Sequence, residues 1–207
     1  MTVRELYAIL NEKIPPSLSC AWDNDGLMCC PDGEKQVRRA LVTLDVTEAA
    51  VAYAREWAYS RNPAYYNFDR LGGDCTNFAS QCLFAGIGVM NSTPDLGWYY
   101  RSLSDRSAAW TGVEYFYNFL TKNAVDGGVG NGAGPFAKEV GIEEIEIGDF
   151  IQLGRETGDF YHTPVVVGFS GGVPLVAAHT YDAFNRPLNT YSYEKIRCLH
   201  ILGGRRW

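Results

Sequence analysis

Residues 145–170 read IEIGDFIQLGRETGDFYHTPVVVGFS. Within that stretch IEIGDFIQL and FYHTPVVVGF are short β-branched, aliphatic and aromatic runs separated by glycine, the composition of strands. Two similar runs follow, VPLVAAHT at 173–180 and KIRCLHIL at 195–202, so the last third of the chain turns to strands. Upstream the pattern is helical. VEYFYNFLTKN at 113–123 reads as a helix, followed by a flexible, glycine-rich DGGVGNGAG at 126–134. DCTNFASQCLFAG at 74–86 offers Asp74 as N-cap, a core stripe of Phe78, Cys82 and Ala85, and Gly86 as its end. TEAAVAYAREWAYSRN at 47–62 has Thr47 as N-cap and Val51, Ala54, Trp57 and Ala58 on one face. Helices followed by antiparallel strands define an α+β fold class.

The first fifty residues have a separate logic. VRELYAILNEKI spaces Val3, Leu6, Leu10 and Ile14 as a helix that Pro15-Pro16 ends, a turn-rich loop follows, and VRRALVTLDVT reads as a strand with Asp45 near its end. Three short elements bury too little surface to fold alone. The expected organisation is an appendage at 1–49 and a domain at 50–207.

Composition narrows the partners. The chain has 207 residues, 46% hydrophobic and 20% charged, with a formal net charge of -6 and scattered lysine and arginine, which leaves no basic stripe for nucleic acid. No apolar run reaches the roughly 18 residues of a membrane span, and MTVRELYAIL lacks the zones of a signal peptide, so the chain as given reads as cytoplasmic. Six cysteines, two of them the adjacent Cys29-Cys30, do not form a disulfide framework, and free thiols are expected.

One of those thiols is placed for chemistry. Cys75 falls at the start of the 74–86 helix, where the dipole and free N–H groups favour thiolate and can hold an oxyanion, and Gly72-Gly73 before it allows close approach of a substrate. Cys20, Cys82 and Cys198 read as buried structural thiols. Of the three histidines, His162 begins an apolar strand and His179 ends the next one, so a hairpin brings both near each other; His200 alternates with Cys198 and Leu202 as a structural residue.

These residues carry a resemblance. AVAYAREWAYSRNPAYYNFDRLGGDCTNFASQCLFAG at 50–86, GVMNSTPDLGWYYRSLSDRSAAWTGVEYFYNFL at 88–120 and FYHTPVVVGF with VAAHTYDAFNRPL at 160–188 resemble the putative amidase domain family of Gram-positive bacteria. That family is similar to the papain-like group of CHAP amidases and cell-wall endopeptidases, where a helix-start Asp-Cys precedes a Gly-Asp turn and a His-bearing strand, here Asp74-Cys75, Gly148-Asp149 and His162. The resemblance implies a papain-like fold and a cysteine amidase or peptidase with Cys75 as nucleophile and His162 as base. It implies His179 as the group orienting His162, with Asp182 or Asn185 as alternatives, and Tyr65 or Tyr66 as the tyrosine that precedes the cysteine. The implied substrate is a peptide or peptidoglycan amide, and no cofactor or metal is called for. A non-catalytic module of the same fold, binding peptide or glycan in its aromatic groove, is the alternative.

The start of the chain resembles a different family, the Nif-three-like dinuclear metal-centre proteins, through Trp22-Asp23-Asn24-Asp25-Gly26-Leu27 and Leu44-Asp45-Val46-Thr47. It stops near residue 50, before the paired histidines and later acidic and histidine ligands of that family's metal site. Cys20 with Cys29-Cys30 lacks a zinc spacing. The expectation is a fragment joined to an amidase domain by a fusion or a gene-prediction artefact, a junction that also displaced a native export signal, rather than a metal protein.

Overall fold

The structure, a computed structural model, describes residues 46–125 and 127–206 together with Thr2, Arg4, Glu5 and Ala8. The chain divides into two compact units, Met1–Leu41 and Val42–Trp207. In the first, the Thr2 N–H donates to the Glu5 carboxylate (2.8 Å) and the Glu5 N–H to Thr2 Oγ1 (3.2 Å), a capping box for the helix expected from Val3. Arg4, Glu5 and Ala8 are helical. The strand ending at Asp45, Cys20, Cys29, Cys30 and the Trp22 to Leu27 string lie outside the described residues.

The second unit opens with α1 (Val46–Trp57). Its buried stripe is Ala50, Ala54 and, one turn on, Ala58, all without exposure, and these small side chains let it lie close on α2 (Cys75–Ile87). Thr47 sits inside the first turn of α1 rather than capping it. In α2 every residue from Cys75 to Leu83 is buried, so it is the central helix of the unit. It runs through Gly86 and stops at Gly88, whose φ of 67° places its N–H on the Phe84 carbonyl, the left-handed cap that glycine adopts without strain.

Two further helices, α3 (Ala108–Thr111) and α4 (Val113–Asn123), close the helical layer. Trp98 and Trp110 lie ring to ring at 4.6 Å under them, and both indole N–H groups are satisfied, by Ser80 Oγ and Asn77 Oδ1. The glycine-rich run after α4 is tied down by two buried amides: Asn91 donates to the Val129 and Ala133 carbonyls, and Asn123 to those of Ala133 and Pro135. The flexible connection expected there is thus anchored at Val129 in its middle and at Ala133 near its end.

Seven strands follow: β1 (Gly134–Val140), β2 (Phe150–Gly154), β3 (Phe160–His162), β4 (Val165–Ser170), β5 (Val173–Ala178), β6 (Ala183–Pro187) and β7 (Lys195–Arg205). They form one sheet in the order β1-β7-β2-β4-β5-β6, with β3 also on β2, and every pair is antiparallel. The architecture is α+β.

Period-two alternation sorts the strand residues between two apolar layers. Phe150, Val165, Ala177 and Leu199 meet Phe78, Cys82 and Leu83 of α2, whereas Ile151, Val166, Val176 and Cys198 form a second cluster with Leu153 and Leu188. Both faces being covered, the strands read as continuous apolar runs. Two paired residues on the helix side break the rule: Gln152, fully buried, donates to the Val113 carbonyl and Thr163 Oγ1 and accepts from Nε of the buried Arg197, which also reaches Glu114.

Candidate active site

The α2 start is built by the turn before it. Gly72 and Gly73 have φ of 97° and 112°, and a Cβ on Gly73 would lie 3.0 Å from Thr180 Oγ1. That hydroxyl accepts the Asp74 N–H at 2.8 Å. Gly73 therefore serves the approach of Thr180, while Gly72 borders the cleft with open space beside it.

Asp74 is the residue before α2, yet its side chain makes no capping bond. Its buried carboxylate instead accepts from the Phe68 N–H (2.9 Å), Asn77 Nδ2 (2.9 Å) and His179 Nδ1 (2.6 Å). The expectation of an Asp74 cap is corrected by this stronger, charge-assisted set of donors.

Cys75 is the first residue of α2, and 7% of its surface is exposed. Its thiol points at the Tyr161 carbonyl and at Thr76 Oγ1, both 3.8 Å from Sγ. Burial pushes the thiol above its ordinary value, outweighing the Thr163 N–H and the Thr76 hydroxyl and N–H that favour thiolate; the Asp74 charge adds to the rise. Helix-start placement alone implies the opposite direction, and desolvation reverses it.

His162 ends β3 and is buried, and its Nε2 has no hydrogen-bond partner. Burial first, and the positive charge of Arg186 second, lower it to about 4. Cys75 and His162 border the same cleft of about 460 Å³, with Gly72, Tyr161, Thr180 and Arg186 among its walls. The Tyr161 carbonyl and the Thr163 N–H, on either side of His162 in the chain, both address the Cys75 sulfur. The backbone flanking His162 thereby meets the cysteine, and both side chains border one cleft with no hydrogen bond between them among the described residues.

The other predicted residues are placed differently. His179 is fully buried, stacks on Phe78 at 3.9 Å, and uses both nitrogens elsewhere, Nδ1 on Asp74 and Nε2 on the Trp57 carbonyl at 2.8 Å. It therefore makes no contact that could orient His162, a correction of the expected role: the imidazole turns inward behind α2 because two buried acceptors await it there. Asp182 is likewise unavailable to His162, since Arg61 grips it with both terminal nitrogens (3.1 and 2.7 Å) while also holding Asp69. Asn185 is exposed on β6 with φ of 59°. Tyr65 stacks on Trp110, and Tyr66 donates its N–H to Tyr100 and packs edge-on to Phe68, so both tyrosines belong to the helical layer. His200 is held by Asp149 at 2.9 Å.

Arg186 and Tyr191 in the cleft wall carry no sequence periodicity that singles them out. The polar line leading from Cys75 through Thr76, Thr163 and Gln152 to Arg197 was also missed, and only the lone glutamine inside the apolar β2 hinted at it.

Fold and site define an α+β protein with a helix-start cysteine and a strand histidine on one cleft. Residues 45–202 match the family described as Putative amidase domain, and the chain belongs to that family. Residues 1–60 match Duf34/NIF3 (NGG1p interacting factor 3). The chain is similar to the uncharacterized protein YhbB of Bacillus subtilis (strain 168), 39% identical over 150 residues, which cover 70% of this chain and 43% of that protein. The match therefore spans less than half of that relative's length. No solved structure matches the chain. Among the described residues no helix is long and apolar enough to cross a membrane.

Proposed function

We propose that residues 42–207 are a papain-like, cysteine-dependent amidohydrolase cleaving an amide in peptidoglycan or a related peptide. The observation that supports this reading is the common cleft of Cys75 and His162, with an imidazole nitrogen that has no other partner. In the resting protein thiol and imidazole are both neutral, so His162 acts as general base during attack rather than within a preformed ion pair. Sγ bonds to the amide carbon as His162 takes the thiol proton. The Cys75 N–H, at the first position of α2 and without an intrahelical partner, faces the developing oxyanion. Collapse breaks the C–N bond, His162 returns the proton to the amine, and water then cleaves the thioester to release the acid and restore the thiol.

A binding module of the same fold is the competing reading, favoured by the neutral resting pair. Incubation with muropeptides, followed by mass spectrometry, separates the two. Amide cleavage that Cys75→Ala lacks is expected. Retention of muropeptides without any cleavage would replace the enzyme with the module.

A further inference from the structure

Arg186 projects into this cleft from β6. Its guanidinium lies 3.9 Å over the Tyr191 ring, with Nε on Thr190 Oγ1 (2.9 Å) and Nη2 on the Thr190 carbonyl (3.0 Å). Such a stack and double tether fix the plane of the group and reduce the side-chain freedom that binding must otherwise remove. Among the described residues Nη1 has no hydrogen-bond partner of its own, the bonds of the group being those of Nε and Nη2. Among the described residues no carboxylate pairs with Arg186, as none does with Arg106, Arg155 or Arg205, whereas Arg61 pairs with Asp69 and Asp182, Arg101 with Asp105, and Arg197 with Glu114. Among the described residues that line the cleft there is no aspartate or glutamate. A protein of net charge -6 thus keeps one oriented, uncompensated cation beside its cysteine.

We infer that the cleft is built for an amide substrate carrying a carboxylate close to the scissile bond, and that Arg186 receives that carboxylate. The assignment rests on Cys75 being the nucleophile. Neutral and cationic peptides gain nothing from the guanidinium, whereas a carboxylate forms charge-assisted hydrogen bonds of known geometric preference with it. Binding has a second effect, because the Arg186 charge presses His162 towards its neutral form. A carboxylate seated on Arg186 screens that charge and raises the proton affinity of the base as substrate arrives.

Iodoacetate and iodoacetamide test this without turnover. Both transfer a two-carbon unit to the thiolate with loss of iodide, they differ in charge, and their rate ratio at one pH cancels the thiolate population. At Cys75 the iodoacetate to iodoacetamide ratio should exceed that of free cysteine by on the order of tenfold. Arg186→Gln should return it to the free-thiol value, and Arg186→Lys should keep part of it.

Equal ratios in the wild type and Arg186→Gln would overturn the assignment while leaving Cys75 reactive. Failure of both reagents to modify Cys75 would remove the nucleophile, and the assignment with it. Should Arg186→Gln not fold, protection of the wild type decides: N-acetylglycine is expected to slow alkylation by iodoacetamide and N-acetylglycinamide to leave it unchanged. Equal behaviour of the two would sink the idea.

Discussion

Asp74 Oδ2 and His179 Nδ1 lie 2.6 Å apart, each 1% exposed, and the far nitrogen of the ring rests on the Trp57 carbonyl. Each ring nitrogen of His179 therefore faces one oxygen, the Asp74 carboxylate on one side and the Trp57 carbonyl on the other. This pair joins the end of α1, the start of α2 and the chain beyond β5. Removing one partner of a buried charge-assisted pair costs on the order of 3–5 kcal/mol. His179→Ala should therefore lower the urea midpoint by that equivalent, and Asp74→Asn by a comparable amount. A loss below about 1 kcal/mol for both would show that the pair does not hold the helix start.

His162 should behave in the opposite way. Its Nε2 satisfies nothing in the fold, so His162→Ala is expected to destabilise by less than His179→Ala while abolishing turnover by roughly 10²–10⁴-fold. Steady-state rates on a muropeptide substrate, read beside melting curves of the two variants, check this division. Retained turnover in His162→Ala would remove it as the base.

The buried neutral imidazole also gives stability a pH dependence. The unfolded chain protonates His162 near 6.5 and the folded chain only at about 4, so between these values the unfolded state binds more protons. The contribution is fully present above about 6.5 and is lost as the pH falls towards 4. Between pH 7 and pH 5 the wild type should lose about 2 kcal/mol through this residue. His162→Gln should flatten that part of the profile, as denaturant midpoints at the two pH values would report.

The Cys75 thiol is displaced the other way, and alkylation follows the thiolate. Reaction with iodoacetamide in the ligand-free protein should rise with pH through a midpoint above that of an ordinary cysteine. A plateau of fast reaction at pH 5–7 would reveal an ion pair with His162 instead.

Unit Val42–Trp207 has its own apolar layers on both sides of the sheet, so deletion of residues 1–41 should leave a cooperatively unfolding protein. Circular dichroism through a thermal ramp checks it. A broad, non-cooperative melt would mean that the two units share a core.

What the sequence made legible follows from periodicity. The runs at 145–153, 160–169, 173–180 and 195–202 contain β2 to β5 and most of β7, because alternating residues fill two apolar layers. Cys75 at a helix start was equally readable from Gly72-Gly73-Asp74. The partner of His179 was not, because a hairpin brings residues near without saying which way a ring turns, and the Asp74 and Trp57 acceptors come from segments over a hundred positions away. The thiol's direction depends on burial, which spacing does not report. Gly86 and Gly88 are both plausible helix ends by composition, and the φ of 67° at Gly88 decides between them.

The Cys75 sulfur is addressed by the Tyr161 carbonyl and the Thr163 N–H, so main chain on either side of His162 sets the position of that segment against the thiol. Tyr161, Tyr181 and Ser192 border the same space, and among the described residues none of their side chains bonds to the sulfur. They are therefore free to diverge: a lineage, or a library randomised at those three positions, can change which molecule the cleft admits while the contact between this segment and the thiol stays where it is.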